Sequence, residues 1–237
     1  MKAGGLVESV RQRYAVASEV SKYAERAEAG LLDWEHHVFE KYCQVRGQVL
    51  DVGCGGGREA IALQRAGYQV TAIDISRPQL EMARTKACAL DLSIEFGLCD
   101  GAHFDFRDAI FDYVLIPSQV LGNVAGHATR LLTLREAKRV LKQDGVLAFS
   151  VHNRMVCEPQ AREAGFFQSV PDNAEDGDFM LSDVSGQICY WHYFFKEELT
   201  GACEAAGFEI LACELARDMG QDGWDTIWVC VCRSPRG

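Results

Sequence analysis

The segment Val49-Leu50-Asp51-Val52-Gly53-Cys54-Gly55-Gly56-Gly57-Arg58-Glu59 constrains what this chain can fold into more than any other. An apolar run of buried-strand character passes through a glycine-rich turn straight into a segment of helical periodicity. Glycines at 53, 55, 56 and 57 remove side chains where a ligand would touch the backbone, and they admit positive φ. The helix start beyond them presents free N–H groups, so the turn makes a cradle for a nucleoside-bearing ligand. The competing pattern is the nicotinamide-cofactor fingerprint G-x-G-x-x-G, whose third glycine lets the helix pack closely on its strand. Arg58 stands at that place, and Asp51, two residues ahead of the first glycine, is not part of the fingerprint.

The flanking pattern sets the fold class. From Leu6 to Tyr42 apolar and aromatic residues recur at helical spacing, with Gly30 breaking the run and Asp33 placed to start a second helix. After Gly47, β-branched runs alternate with amphipathic segments: QVLDVG, EAIALQRAG, YQVTAIDI, RPQLEMARTKACA, LSIEFG, FDYVLI, TRLLTLREAKRVLK and GVLAFSV. This alternation predicts βαβ units and a parallel sheet from about Val49 to Val151. Residues 155–187 are weakly periodic and hold Pro171, Asp172 and the acidic run Glu175, Asp176, Asp178, which suits a substrate-cap insertion. A helix KEELTGACEAAG ends at Gly207, and FEILACEL and DTIWVCVCR follow with no helix between them, so they pair as an antiparallel hairpin.

A net charge of −10 works against an extended polyanion, so nucleic acid is not an expected partner. Arg11 and Arg13 are read as a solvated face. The N-terminal sequence has no apolar stretch of signal-peptide length and no segment approaches a membrane span, so a cytoplasmic location without membrane association is expected. The ten cysteines then read as reduced thiols used as small core residues; no CxxC pair occurs, and no metal is expected. Cys230 and Cys232 alternate along one strand and share a face, where packing is preferred over ligation.

Three carboxyl-edge positions follow the glycine turn. Asp74 ends the second strand, where an acid can accept both ribose hydroxyls of an adenosine, or cap the next helix; Ser76 is the better placed cap. Asp100, in Cys99-Asp100-Gly101-Ala102, could accept an adenine amine or close the turn before His103. The fourth strand leads into Ile116-Pro117-Ser118-Gln119, with Leu121, Gly122 and Asn123 beyond, bordering donor and acceptor.

In order and spacing, VLDVGCGGGREA, VTAIDIS, LCDG, FDYVLI and LKQDGVLAFS resemble the class I S-adenosylmethionine-dependent methyltransferases of small-molecule type over roughly Val49 to Ser150. The resemblance implies a Rossmann-like, doubly wound α/β fold with a mostly parallel seven-stranded sheet. It also implies a reversed C-terminal hairpin strand and an N-terminal helical lid over residues 1–46, ahead of a core at 47–237. By the same resemblance Asp51, Gly53, Gly55 and Gly57 line the methionine and ribose portion of the cofactor. Asp74 with Ile75 holds the ribose hydroxyls, Asp100 with Gly101 and Ala102 contacts adenine, Gln119 sits near the sulfonium, and Tyr14 and Tyr23 reach the methionine end from the lid.

A sulfonium methyl is already activated, so positioning and exclusion of water are the main tasks and a general base is optional. His152, after the fifth strand, is the first candidate base, and Asn153 and Arg154 are placed to orient a polar acceptor, unless this trio only satisfies the turn. His192 is the second, within Tyr190-Trp191-His192-Tyr193-Phe194-Phe195, a cluster that forms either an acceptor wall with Tyr190 and Tyr193 or plain strand packing. Asn123 completes the acceptor set. The expected function is methyl transfer to an O, N, S or C atom of a small molecule by a monomer or homodimer. A protein or RNA methyltransferase, or a non-catalytic cofactor-binding scaffold, is the alternative; the Asn-Pro-Pro-Tyr type of motif is absent after Val114, where IPSQ stands.

Overall fold

The computed structural model describes residues 3–172, 174–182 and 186–235. It opens with three helices rather than the expected two: α1 (Ala3–Ala15), α2 (Ala17–Arg26) and α3 (Asp33–Tyr42). The first run is split at Val16, whose backbone is extended at φ −71° and ψ 143°, so α1 and α2 leave the break in different directions. Helical periodicity continues through such a break and cannot reveal it. The second helix ends at Arg26 with Ala27 as its cap, and Gly30, at φ +82°, lies in the connection to α3.

The core follows in the expected alternation: β1 (Gln48–Val52), α4 (Arg58–Arg65), β2 (Gln69–Asp74), α5 (Arg77–Ala89), β3 (Glu95–Leu98), β4 (Phe111–Ile116), α6 (His127–Val140) and β5 (Leu141–His152). After β5 come α7 (Arg154–Glu163), β6 (Phe167–Ser169), β7 (Asp178–Ser182), β8 (Ile188–His192), α8 (Lys196–Ala205), β9 (Glu209–Leu215) and β10 (Ile227–Arg233). Seven strands form one sheet in the order β3-β2-β1-β4-β5-β10-β9, with β10 antiparallel to both neighbours. The fold is therefore Rossmann-like, with a mostly parallel seven-stranded sheet, one reversed C-terminal strand and helices ahead of it.

Alternation along the central strands separates two apolar layers. Leu50, Val52, Ile116 and Phe149 face α6 and α8, while Val49, Leu115 and Ala148 face α3 and α4. Trp34, Val38 and Phe39 of α3 are buried in this second layer, so only α1 and α2 lie outside the main core. The division at residue 46 thus does not coincide with a packing boundary.

The insertion at 155–187 is more ordered than its periodicity suggests, although 173 and 183–185 lie outside the described residues. It carries most of α7, then β6 and β7, which with β8 make a three-stranded antiparallel sheet. Residues 178–181 of β7 are all buried, because Met180 packs on Leu6 and Val10 of α1 while Phe179 and Leu181 pack on Cys157 and Ala161 of α7. A strand buried on both faces shows no polar alternation to read.

A buried ion network ties this small sheet to the core. His192 Nδ1 lies 2.7 Å from Asp178 Oδ1, its partner across β7 and β8, and His192 Nε2 lies 2.7 Å from Glu198 Oε1 of α8. Arg130 of α6 adds a 2.6 Å bond to Glu175 and a 3.0 Å bond to the Tyr190 hydroxyl, which itself donates to Asp178 Oδ1. Burial alone would depress the His192 pKa, but the two carboxylates outweigh it and raise it, holding an imidazolium with both N–H groups donating. Replacing His192 by Leu leaves Asp178 short of its nearest cation and costs about 3 kcal/mol, a fall in Tm of roughly 6–12 °C in a thermal melt. Because the folded pKa is raised, this contribution is present below the unfolded histidine value and is lost as pH rises through the folded one.

Candidate cofactor and acceptor site

The glycine turn is pinned to β2: the Gly53 and Cys54 N–H groups both donate to the Ile73 carbonyl, at 2.7 and 3.1 Å. Gly53 sits at φ +75°, and a Cβ there would fall 2.4 Å from Val120 Cγ2. A Cβ on Gly56 would fall 2.6 Å from the Tyr23 carbonyl oxygen, so α2 rests directly on the turn. Asp74, at the end of β2, accepts from Gly55 N–H through Oδ2 at 2.8 Å and from Ser76 N–H through Oδ1 at 2.7 Å. Ser76 occupies the cap position of α5, but its hydroxyl donates to the Tyr14 carbonyl at 3.0 Å, and Gln79 Nε2 donates to the same oxygen at 3.2 Å. The end of α1 is thereby moored over the carboxyl edge of the sheet.

Beneath it lies a cavity of about 610 Å³. Of the residues expected at a cofactor site, Gly53, Gly55, Asp74, Ile75, Asp100, Gly101, Gln119, Tyr14 and Tyr23 line it, as does Asn123 from the acceptor set. Asp51, Gly57 and Ala102 do not line it. The Tyr14 hydroxyl donates to Asn123 Oδ1 at 3.1 Å, and Asn123 Nδ2 donates to the Tyr190 carbonyl at 2.8 Å. Burial raises the pKa of both tyrosines, Tyr23 to about 12, so they enter the cavity as protonated donors. Asp100 closes its turn, accepting from the Ala102 and His103 N–H groups at 2.8 Å each, with His103 Nδ1 2.9 Å from its second oxygen. Ser118 and Gln119 follow β4 at φ +53° and +60°. Two consecutive non-glycine residues in the left-handed region store strain where a reacting centre would sit.

Sequence reasoning missed the charged end of this cavity. Arg58 donates to Glu35 Oε2 and Oε1 at 2.7 and 2.8 Å, to Glu59 Oε1 at 2.5 Å and to the Gly30 carbonyl at 2.9 Å. Burial raises the Glu59 carboxyl to about 7 against the pull of Arg58. Asp51 is fully buried with both oxygens unpartnered, and burial, followed by Glu59 and Glu35, raises its pKa as well. The Trp34 indole N–H and Gln79 Oε1 are likewise buried without partners, and both residues line the cavity. A buried carboxylate pair at and behind the lining and an unpartnered indole donor suit a ligand carrying both an ammonium and a carboxylate, as an amino-acid moiety does. Glu59, two residues beyond the last glycine, could have been found by counting helix positions; the partners of Arg58 could not.

Several expected acceptor residues are turned away from the cavity. His152 packs edge-on against Trp191 and Tyr193, at 5.1 and 4.9 Å between ring centroids, and burial lowers its pKa to about 4, which makes it a poor base at neutrality. His192 is locked in the ion network described above. Asn153 caps α7, accepting from Met155 N–H and donating to the Asp225 carbonyl. Arg154 is paired with Glu158 and Asp176 and lies over the Phe195 ring. Tyr190 is fully buried beside Arg130 and Asp178, and Tyr193 packs with Phe179 and Cys157. Strand alternation gives the cavity Trp191 instead, with Val7, Val10 and Arg13 from α1.

The Asp51 and Glu59 shifts carry a pH signature. Folded carboxyls with raised pKa values contribute stability that is present below their unfolded values and lost as pH rises through the folded ones. Ligand-free protein therefore becomes easier to unfold as pH rises from the ordinary glutamate value of 4.5 through about 7. Asp51→Asn flattens this dependence; thermal melts at about pH 5 and pH 8 measure it, and equal slopes in both proteins remove Asp51 from the linkage.

Residues 50–149 match the methyltransferase domain family. A ubiquinone biosynthesis O-methyltransferase of Actinobacillus pleuropneumoniae serotype 5b is 36% identical over 119 residues, which are 45% of this chain and 46% of that protein. The chain spans about half the length of the curated relatives it matches. Among solved structures, an S-adenosylmethionine-dependent methyltransferase of Methanosarcina mazei superposes with a TM-score of 0.70 at 24% identity, covering 84% of this chain and 98% of that one. The [4+2]-cyclase SpnF superposes with a TM-score of 0.69 at 21% identity, covering 96% of each chain, so the fold is shared with different chemistry. Over residues 50–149 the glycine turn, the strand order and the family match together point to a class I S-adenosylmethionine-dependent methyltransferase domain.

Proposed function

We propose that this protein transfers a methyl group from S-adenosylmethionine to a small-molecule acceptor by in-line displacement, as a cytoplasmic monomer or homodimer that does not act on nucleic acid. The observation that carries the reading is one cavity that runs from the glycine turn and Asp74 to an apolar pole walled by Val7, Val10 and Trp191. Its volume is that of a small-molecule pocket. The end of α1, moored by Ser76 and Gln79 through the Tyr14 carbonyl, covers part of this cavity, which supports a small acceptor over a polymer.

When bound, the cofactor supplies a methyl group already activated on a sulfonium. The protein's residues then bind, orient and exclude water. Asp74 exchanges its bonds to backbone N–H groups for the ribose hydroxyls, and the Asp100-Gly101-Ala102 turn borders the adenine. Glu59 would receive the ammonium, with Asp51 buried behind the lining adding negative charge, the Trp34 N–H would receive the carboxylate, and Gln119 would lie by the sulfonium. Tyr14 and Asn123, hydrogen-bonded to each other, stand between donor and acceptor ends. No histidine is among the described residues that line the cavity. An acceptor that must lose a proton therefore gives it to solvent.

Calorimetric titration with S-adenosylmethionine, S-adenosylhomocysteine and NAD tests the cofactor assignment. The first two bind and NAD does not, and Asp74→Ala weakens binding by at least about 1 kcal/mol through loss of charge-assisted hydrogen bonds. Binding of NAD alone would sink the proposal. In an acceptor screen Trp191→Ala raises KM while leaving S-adenosylhomocysteine affinity unchanged; cofactor binding without turnover of any small molecule, protein or RNA would favour a scaffold or a cyclase-like activity instead.

A further inference from the structure

Cys230 and Cys232 read from sequence as packing on one face of a strand, and the fold adds two more thiols to that face. Cys213 of β9 stands directly across from Cys230 in the β9–β10 register, and Cys203 of α8 packs onto the same layer. All four are buried. The Sγ atoms of Cys203, Cys230 and Cys232 lie within 4.8 Å of one another. Between Val231 and Cys232 the β9–β10 register shifts, so that Cys230 pairs with Cys213 but Cys232 with Ile210. Such an irregularity re-aims side chains locally. Filling an apolar layer needs only volume, which Ala or Val supplies; it does not require three sulfurs from two elements to converge.

We propose that Cys203, Cys230 and Cys232, with Cys213 as the fourth donor, form a binding site for a divalent thiophilic cation of the zinc class, separate from the cofactor cavity. Zinc–sulfur bonds of about 2.3 Å in a tetrahedron place the sulfurs about 3.8 Å apart, so the observed triangle needs to contract by roughly 1 Å or less at its longest edge. Binding breaks one S–H bond for each S–metal bond formed, and the protons leave to solvent. Four thiolates around a dication leave a net charge of −2. A monovalent copper ion would leave a third uncompensated charge in an apolar layer. The donors come from α8 and from both strands of the hairpin, so the ion would staple the helix to the end of the sheet. None of the four residues lines the cavity, so this site is independent of the methyl-transfer reading.

The test is titration of the reduced full-length protein with Cd²⁺, following the thiolate-to-metal charge-transfer absorbance, with thermal melts before and after. The expected result is saturation at one ion per chain, a higher Tm for the loaded form, and a loss of affinity of at least about tenfold in Cys203→Ser and in Cys232→Ser but not in Cys88→Ser, which changes an exposed thiol. S-adenosylhomocysteine affinity stays unchanged in all three. Should the buried variants fail to fold, X-ray absorption on the zinc-loaded wild type decides. A shell of three or four sulfurs supports the site. Fewer than three sulfurs, uptake below one equivalent, or a band that survives both buried substitutions overturns it.

Discussion

Arg58 is the interaction on which the site depends. Its guanidinium reaches from the first turn of α4 to Glu35 of α3, to Glu59 beside it and to the Gly30 carbonyl in the connection between α2 and α3. The bidentate geometry to Glu35 fixes both distance and orientation, which a lysine could not do. Glu35 also accepts from the Leu32 N–H at 2.7 Å, so the start of α3 is tied into the same group. The turn that cradles the ligand and the helices that cover it are thus held as one body by a cation 14% exposed. This also explains why a bulky residue is tolerated where a dinucleotide-binding turn needs glycine: the side chain leaves the strand–helix interface and points to the lid.

The charge around Arg58 is unbalanced. Glu35, Asp51 and Glu59 converge on one guanidinium, and Asp51 has no hydrogen-bond partner. A buried carboxylate without a partner is costly unless it takes up a proton or a ligand supplies the missing cation. The cost in stability and the capacity to bind an ammonium are two aspects of the same arrangement, as is common where a site is held ready for a ligand. Away from that group the lining is more apolar, with Val7, Val10 and Trp191 beside Arg13.

Most of the core was legible because its signals are local. The period-2 and period-3.6 patterns, the glycine turn and the acids at strand ends each lie within a few residues of one another, and Asp74 stands where that reading puts it, against the turn and the cavity. The acceptor end was not legible, for physical reasons that differ by residue. His152 lies at the correct edge of the sheet, but Trp191 and Tyr193 enclose its ring. Asn153 and Arg154 are consumed by the start of α7. Tyr190, Trp191 and His192 could only be sorted by knowing which face of β8 meets the cavity. In a strand buried on both sides that face leaves no trace in polarity.

By itself, the sequence determined the strand order's parallel character, the reversed final hairpin, the ligand edge of the sheet and the nucleoside-binding turn, since all follow from backbone conformation and local burial pattern. Only the tertiary structure decided that α3 belongs to the core, that the insertion carries part of a second sheet, and that Arg58 joins α3 and the connection before it to the turn. It also gathered Cys203, Cys213, Cys230 and Cys232, and it gave the cavity Trp34, Glu59 and Trp191 in place of His152 and His192. Contacts between residues far apart in the chain depend on how faces meet, and a side chain's partners across such a meeting are not encoded in its own neighbours.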